Sequence, residues 1–261
     1  LKNINLLISI LKKYLFDFLF LNFYKGRNII LSFNTQIPKK LISKETSIIK
    51  ANSFDYSMAL KNIKTFKSSN NDLKYALFLE SPGPLHPGDE LIWGGQNEGF
   101  TKEKWFPSLN KYFDKLESIL GLKVIIAPHP KVKHEKNPSY YGGREISEQI
   151  LAESALNSEL IISHWSSGIS FGVIYNKPIM LITSNELINN EEFVRQQNQF
   201  SKELGSEIIN IDSEVSEGKL KQKLIINKTK YNEYILNYCS SRDDKKRNYQ
   251  IILDIIKNKH M

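Results

Sequence analysis

The chain has 261 residues, 36 Lys and Arg against 28 Asp and Glu, and a formal charge of +8. That length suits one large domain or two small ones, and 41% hydrophobic with 11% aromatic residues excludes a disordered tail. A single cysteine, Cys239, excludes an internal disulfide framework and a cysteine-rich zinc module.

No uninterrupted apolar run reaches the roughly 18–20 residues of a spanning helix. The expectation is a soluble, cytoplasmic protein. Its charge admits an anionic membrane surface, a polyanionic substrate or a plain solvated surface. Nucleic acid is set aside: there is no zinc-finger spacing, no RNP-like strand and no clear helix-turn-helix. Lysines are spread along the chain, beside abundant Asn and Ile. The sequence opens at Leu1 without a Met, so we expect something upstream to be missing.

Residues 5–24 are apolar but broken by Lys12, Lys13 and Asp17. Those charges argue against a span, and no small-residue cleavage site follows. Two readings stand: a helix buried against a domain, which we prefer, and an interfacial helix with peripheral contact at the inner membrane face. Residues 27–33 read as a short strand, and 34–73 as mixed and polar. The cluster Lys67-Ser68-Ser69-Asn70-Asn71-Asp72 is the linker candidate. We therefore divide the chain at 73, with a partial N-terminal region at 1–73 and a larger domain at 74–261.

From residue 74 the pattern is regular. Strands are expected at 75–79, 124–127, 160–163, 178–183 and 207–211. Helices are expected at 101–120, 146–156, 166–175 and 190–204, with a helical tail at 215–258. Gly121 stands where a helix-ending glycine belongs. Short apolar strands alternating with helices predict an α/β fold with a Rossmann-like parallel sheet. Ligands of such sheets bind at the carboxyl ends of the strands.

Two constellations fall there. In Ala127-Pro128-His129-Pro130-Lys131, two prolines hold His129 in an extended path. Its imidazole can donate to a phosphate or protonate a leaving phosphate oxygen, and Lys131 and Lys133 add charge. In Ser163-His164-Trp165-Ser166-Ser167-Gly168, small residues and hydroxyls stand where a helix begins, which suits an anion. The bland alternatives are a strand-ending His-Pro and an N-cap serine.

The loop after the first strand of this domain carries Glu80, His86, Asp89 and Glu90. A carboxylate there could act as general base, or the loop is a solvated acidic turn. Trp93-Gly94-Gly95 is either a movable loop or a plain turn. Tyr140-Tyr141-Gly142-Gly143-Arg144-Glu145 could stack on a base, with Glu145 on a ribose, or be an ordinary loop with buried tyrosines. There is no G-x-G-x-x-G, no Walker A, no G-x-S-x-G and no D-x-D pair. The five histidines lack zinc spacing, so no metal site is expected, and Cys239 reads as a buried structural thiol.

His129-Pro130 and Ser166-Ser167, one βα unit apart, resemble motifs of the bacterial GT-B glycosyltransferases that use CMP-activated acidic sugars: the sialyl-, polysialyl- and Kdo transferases of capsule and lipopolysaccharide synthesis. The resemblance implies that residues 74–211 form the donor-binding C-terminal domain and that Asn52-Ser-Phe-Asp-Tyr56 ends the acceptor side. It implies that His129 acts as general acid and that His129, Pro130, Lys131, Ser166, Ser167 and Gly168 grip the donor phosphate. Asp89 or Glu90 would be the base, although Gly88 precedes the acidic pair here, where some members have glycine after it. The expected partners are a CMP-sugar co-substrate and a glycan acceptor, with no resident cofactor. The alternatives are a UDP-sugar transferase, a UDP-sugar 2-epimerase, or a non-catalytic glycan-assembly subunit. Because a GT-B enzyme has two Rossmann domains, the chain is expected to be a fragment, or to have a reduced or partner-supplied acceptor side.

Overall fold

The structure is a computed structural model that describes residues 29–32, 46–65, 74–81, 83–84, 101–134 and 139–259. The segment 5–24, the linker candidate, His86, Asp89, Glu90 and Trp93–Gly95 lie outside the described residues.

Strands β1 (Ile29–Ser32) and β2 (Ser47–Lys50) form a parallel pair. Helix α1 (Phe54–Thr65) follows. Then come β3 (Tyr75–Leu79), α2 (Lys102–Leu120), β4 (Lys123–Ala127), α3 (Leu151–Asn157), β5 (Leu160–Ser163), α4 (Ile169–Ile174), β6 (Ile179–Thr183), α5 (Glu191–Leu204) and β7 (Ile208–Asn210). The tail carries α6 (Glu217–Gln222), α7 (Lys228–Tyr234), a π-helical turn at Ile235–Cys239 and α8 (Asn248–Lys259).

Strands β3 to β7 make one parallel sheet in the order β4-β3-β5-β6-β7. The fold is α/β, with a Rossmann-like sheet buried on both faces. That double burial is why the strands are continuous apolar runs instead of alternating ones. Ala76, Phe78, Val124, Ile126, Leu160, Ile162, Met180 and Ile182 meet Trp105, Phe106, Leu109, Phe113 and Leu116 of α2 on one face. Leu77, Leu79, Ile125, Ile161, Ile179 and Leu181 meet α1, α3, α4 and α7 on the other. The α2 stripe repeats at i, i+3, i+4 and i+7, the spacing that buries one helix face. The helix stops at Gly121, whose φ of +65° favours glycine and whose N–H donates to the Glu117 carbonyl.

Several elements differ from the sequence reading. Strand β2 and helix α1 both lie in the stretch read as mixed and polar, and the helix expected from 166 starts only at Ile169. The Ser53 hydroxyl accepts from the Tyr56 amide at the start of α1, and Ala59 and Leu60 are buried although Asn62 is buried beside them. The helix expected from 146 starts only at Leu151, because Ile146 bridges Ile126 and extends the sheet edge. The last strand is trimmed to Ile208–Asn210.

Packing runs across position 73. Helix α1 lies against α3 and α4. Asn52 joins the same body through the tail: its amide donates to Asn248 Oδ1 at 2.8 Å, its side-chain Nδ2 to the Lys246 carbonyl at 2.6 Å, and its Oδ1 accepts from Ser240 at 2.7 Å. Cys239 is buried, and burial, with the Asp55 charge second, pushes its thiol up to about 12. Among the described residues no helix is long and apolar enough to cross a membrane.

Candidate functional site

Chain order reverses direction in the sheet at β3. Strand β4 lies on one side of it, and β5, β6 and β7 follow on the other. The carboxyl ends of β3 and β5 therefore flank the topological switch point, where open α/β sheets leave a crevice for ligands. Glu80 and Ser81 leave β3 there, His164 to Gly168 leave β5, and Pro128-His129 leave the neighbouring β4.

The Glu80 side chain is 1% exposed. Its amide donates to the Ala127 carbonyl at 3.1 Å, so it continues the sheet register by one residue. Its carboxylate accepts three bonds: from the His129 amide at 2.7 Å, from His134 Nε2 at 2.9 Å, and from the Tyr141 hydroxyl at 2.7 Å. Burial first, then the Glu80 charge and hydrogen bond, hold the Tyr141 phenol well above its ordinary range. Glu80 is thus held by three of the chain's own donors and serves as a clamp on the His-Pro loop. His129 is half-buried, and its Nδ1 accepts from the Lys131 amide at 3.3 Å, which assigns the proton of the neutral ring to Nε2. Pro130, Lys131 and Lys133 are exposed beside it.

The crevice itself is bridged. Ser81 Oγ and His164 Nε2 are 2.6 Å apart, and both residues are buried. The Ser81 hydroxyl donates to the Gly83 carbonyl at 3.4 Å, which leaves a lone pair for Nε2–H. The His164 ring stacks on Phe78 at 5.9 Å and lies 4.9 Å from Trp105. Burial lowers its pKa from 6.5 to about 3, so the ring is neutral. Gln197 of α5 donates to the His164 carbonyl at 2.8 Å and to the Ile182 carbonyl at 2.6 Å, tying the end of β5 to β6.

After β5, Ser166 is half-buried, Ser167 exposed and Gly168 buried. The Gly168 amide, expected as a phosphate donor, already donates to Ser166 Oγ at 3.2 Å. In the first turn of α4 the Ser170 hydroxyl donates to the Asp55 carboxylate at 2.5 Å, so a negative charge of the chain already stands at that turn. What Ser166 and Ser167 offer a ligand is their hydroxyls. A Cβ at Gly168 would lie 2.7 Å from Leu151 Cδ2 and 3.2 Å from Ser166 Oγ. The nearest of these atoms ends a half-buried leucine side chain that can turn aside, and Gly168 has an ordinary helical backbone, so Gly168→Ala is expected to change stability by less than about 1 kcal/mol, read by urea denaturation. A larger loss would contradict this packing.

Glu145 is placed elsewhere than expected. Its carbonyl accepts from the Ile126 amide, so it runs along the outer edge of the sheet, beyond β4 and two strands from the β3–β5 crevice. Its charge acts on Tyr75, the first residue of β3, whose hydroxyl burial, and secondarily Glu145, push up to about 12. The Tyr140–Arg144 turn is structural. Tyr140 stacks on Phe106 at 4.6 Å, and Arg144 binds Glu117 at 2.8 Å and Asp114 at 2.5 Å. His134 is the site residue that lay outside the motifs; Tyr141 and His164 stood inside them, Tyr141 as a base-stacking candidate and His164 with no role of its own.

Among the described residues no group of three or more His, Cys, Asp or Glu could hold a metal ion. No protein-family model matches the sequence, and no curated protein matches it. Two solved structures of UDP-GlcNAc 2-epimerase from Methanocaldococcus jannaschii resemble the chain. The one with UDP-GlcNAc and UDP bound is 15% identical over 84% of this chain and 58% of its own, with a TM-score of 0.39. The other is 15% identical over 82% of this chain and 56% of its own, with a TM-score of 0.43. The chain thus spans less than two thirds of the length of either.

Proposed function

We propose that this chain is the nucleotide-sugar-binding part of an enzyme, with the donor phosphate held at the carboxyl edge of the sheet between His129 and the Ser166-Ser167 turn. The observation that carries the reading is the buried Glu80 carboxylate, which accepts from the His129 amide and fixes the His-Pro loop beside the switch point. With Nδ1 accepting from the Lys131 amide, Nε2–H is the group that donates a hydrogen bond to a phosphate oxygen; as general acid the ring must first take a second proton at Nδ1, in exchange for the Lys131 bond, so that giving the Nε2 proton to the departing phosphate leaves it neutral. Lys131 adds positive charge, and the Ser166 and Ser167 hydroxyls add donors. Asp89 or Glu90 is the proposed base toward an acceptor hydroxyl. On the CMP reading the reaction transfers an acidic sugar to a glycan. On the UDP reading it is UDP-sugar transfer or 2-epimerisation.

Calorimetric titration with CMP, UDP and their sugar conjugates tests this. One of the two nucleotide series is expected to bind, and the series that binds identifies the donor. His129→Ala and Ser167→Ala should each weaken that binding about tenfold, the worth of roughly one charge-assisted hydrogen bond, without moving the unfolding midpoint. Binding of neither series, or full affinity in both variants, overturns the proposal.

A further inference from the structure

Helix α8 is apolar on two opposite sides. Ile251 is buried against the body. Tyr249, Ile252, Leu253 and Ile256 are 43–50% exposed on the other side. Their spacing of i, i+3, i+4 and i+7 makes one continuous outward stripe. Helix α1 adjoins the start of α8. The first amide of α8, that of Asn248, donates to Ser57 Oγ, and Phe54, one helical turn before Ser57, is 74% exposed.

The margin of this stripe is basic. The Arg247 guanidinium lies 4.8 Å from the centre of the Tyr249 ring. Lys257, one turn beyond Leu253, is exposed, as is Lys61 on α1. The loop leading into α8 holds Arg242, Lys245, Lys246 and Arg247 against Asp243 and Asp244. Asp254, on the flank of the helix, is bound by Lys246 at 2.7 Å, and Asp244 is bound by Arg242.

We propose that this face of α8 rests in the plane of an anionic lipid bilayer. Apolar side chains aimed outward and cations at their border match acyl chains beneath and lipid phosphates around them. Pairing the same face with a second copy would bring the two basic margins together, which the charge disfavours. Neither the nucleotide nor the reaction enters this inference.

Vesicle flotation of the full chain tests it, with phosphatidylcholine alone and with phosphatidylcholine plus phosphatidylglycerol. The chain should float with the anionic vesicles, stay behind with the neutral ones, and be released by added salt. The double variant Ile252→Glu, Leu253→Glu changes only exposed positions, so its circular dichroism should match the parent. Its partitioning should be about tenfold weaker. A parent chain that ignores anionic vesicles overturns the proposal. So does a double variant that floats like the parent, which would assign the binding to another segment such as 5–24. A dimer of the parent that the double variant splits also overturns it, since the face would then be a contact between copies.

Discussion

Glu80→Ala is expected to cost about 3–5 kcal/mol of stability and to abolish ligand binding at the His129 loop. The magnitude follows from what is left behind. Three donors, the His129 amide, the His134 ring and the Tyr141 hydroxyl, converge on a carboxylate that is 1% exposed. Alanine satisfies none of them, and each buried group then bears its desolvation cost of about 1–3 kcal/mol, less whatever water restores. Glu80→Gln separates this from a catalytic role. Its amide oxygen can still accept from His129 and His134, and its NH2 can donate to the Tyr141 oxygen, which accepts as readily as it donates. The charge assistance and the acceptor of the Tyr141 hydrogen are lost, so the expected cost falls to about 2–3 kcal/mol. Urea denaturation gives both values, and nucleotide titration gives the affinity. If Glu80→Gln binds nucleotide nearly as well as the parent while Glu80→Ala does not, Glu80 is a positioning residue. If Glu80→Gln keeps its stability and affinity but loses all turnover, the carboxylate takes part in the reaction and the clamp assignment is wrong.

The parts of this fold that were legible in the sequence are those written in local patterns. Apolar runs such as Tyr75–Leu79 and Leu160–Ser163 mark strands buried on both faces, and Gly121 marks the end of α2. That the candidate residues gather at one edge was legible too, because a parallel sheet puts the carboxyl ends of all its strands on one side. The inner wiring was not. Glu80 meets His129, His134 and Tyr141 across 49, 54 and 61 residues of chain. Nothing in the local sequence marks Tyr141 as their shared neighbour until β3 and β4 are paired. Proximity in sequence misled at Glu145. It follows the turn that carries Tyr141, yet one further residue of extended chain takes it to the outer edge beside β4. Helix α1 was hidden by composition, since its buried face mixes Ala59 and Leu60 with Asn62, so no clean apolar stripe identifies it.

His164 should make the protein acid-sensitive above the range in which its carboxylates titrate. The ring is enclosed by Phe78, Trp105 and Phe193, and burial lowers its pKa to about 3. In the unfolded chain it titrates at an ordinary value of about 6.5. The folded state therefore refuses a proton that the unfolded state accepts. The resulting stabilisation is complete above about pH 6.5 and is lost as pH falls toward about 3. The loss should reach about 2 kcal/mol between pH 7 and pH 5 and roughly 4–5 kcal/mol over the whole span. His164→Gln isolates the effect. Its amide can still donate to Ser81 Oγ, but it does not titrate. At pH 7 this variant should be less stable by about 1–2 kcal/mol, because the stacking on Phe78 and Trp105 is lost. Between pH 7 and pH 5 it should lose about 2 kcal/mol less than the parent, since the other titrating groups are common to both. Urea denaturation of the two chains at pH 7, 6 and 5 measures the difference. Parallel losses would mean that His164 takes a proton in the folded state, and the crevice between β3 and β5 would then be wet at the place where the Ser81–His164 bond closes it.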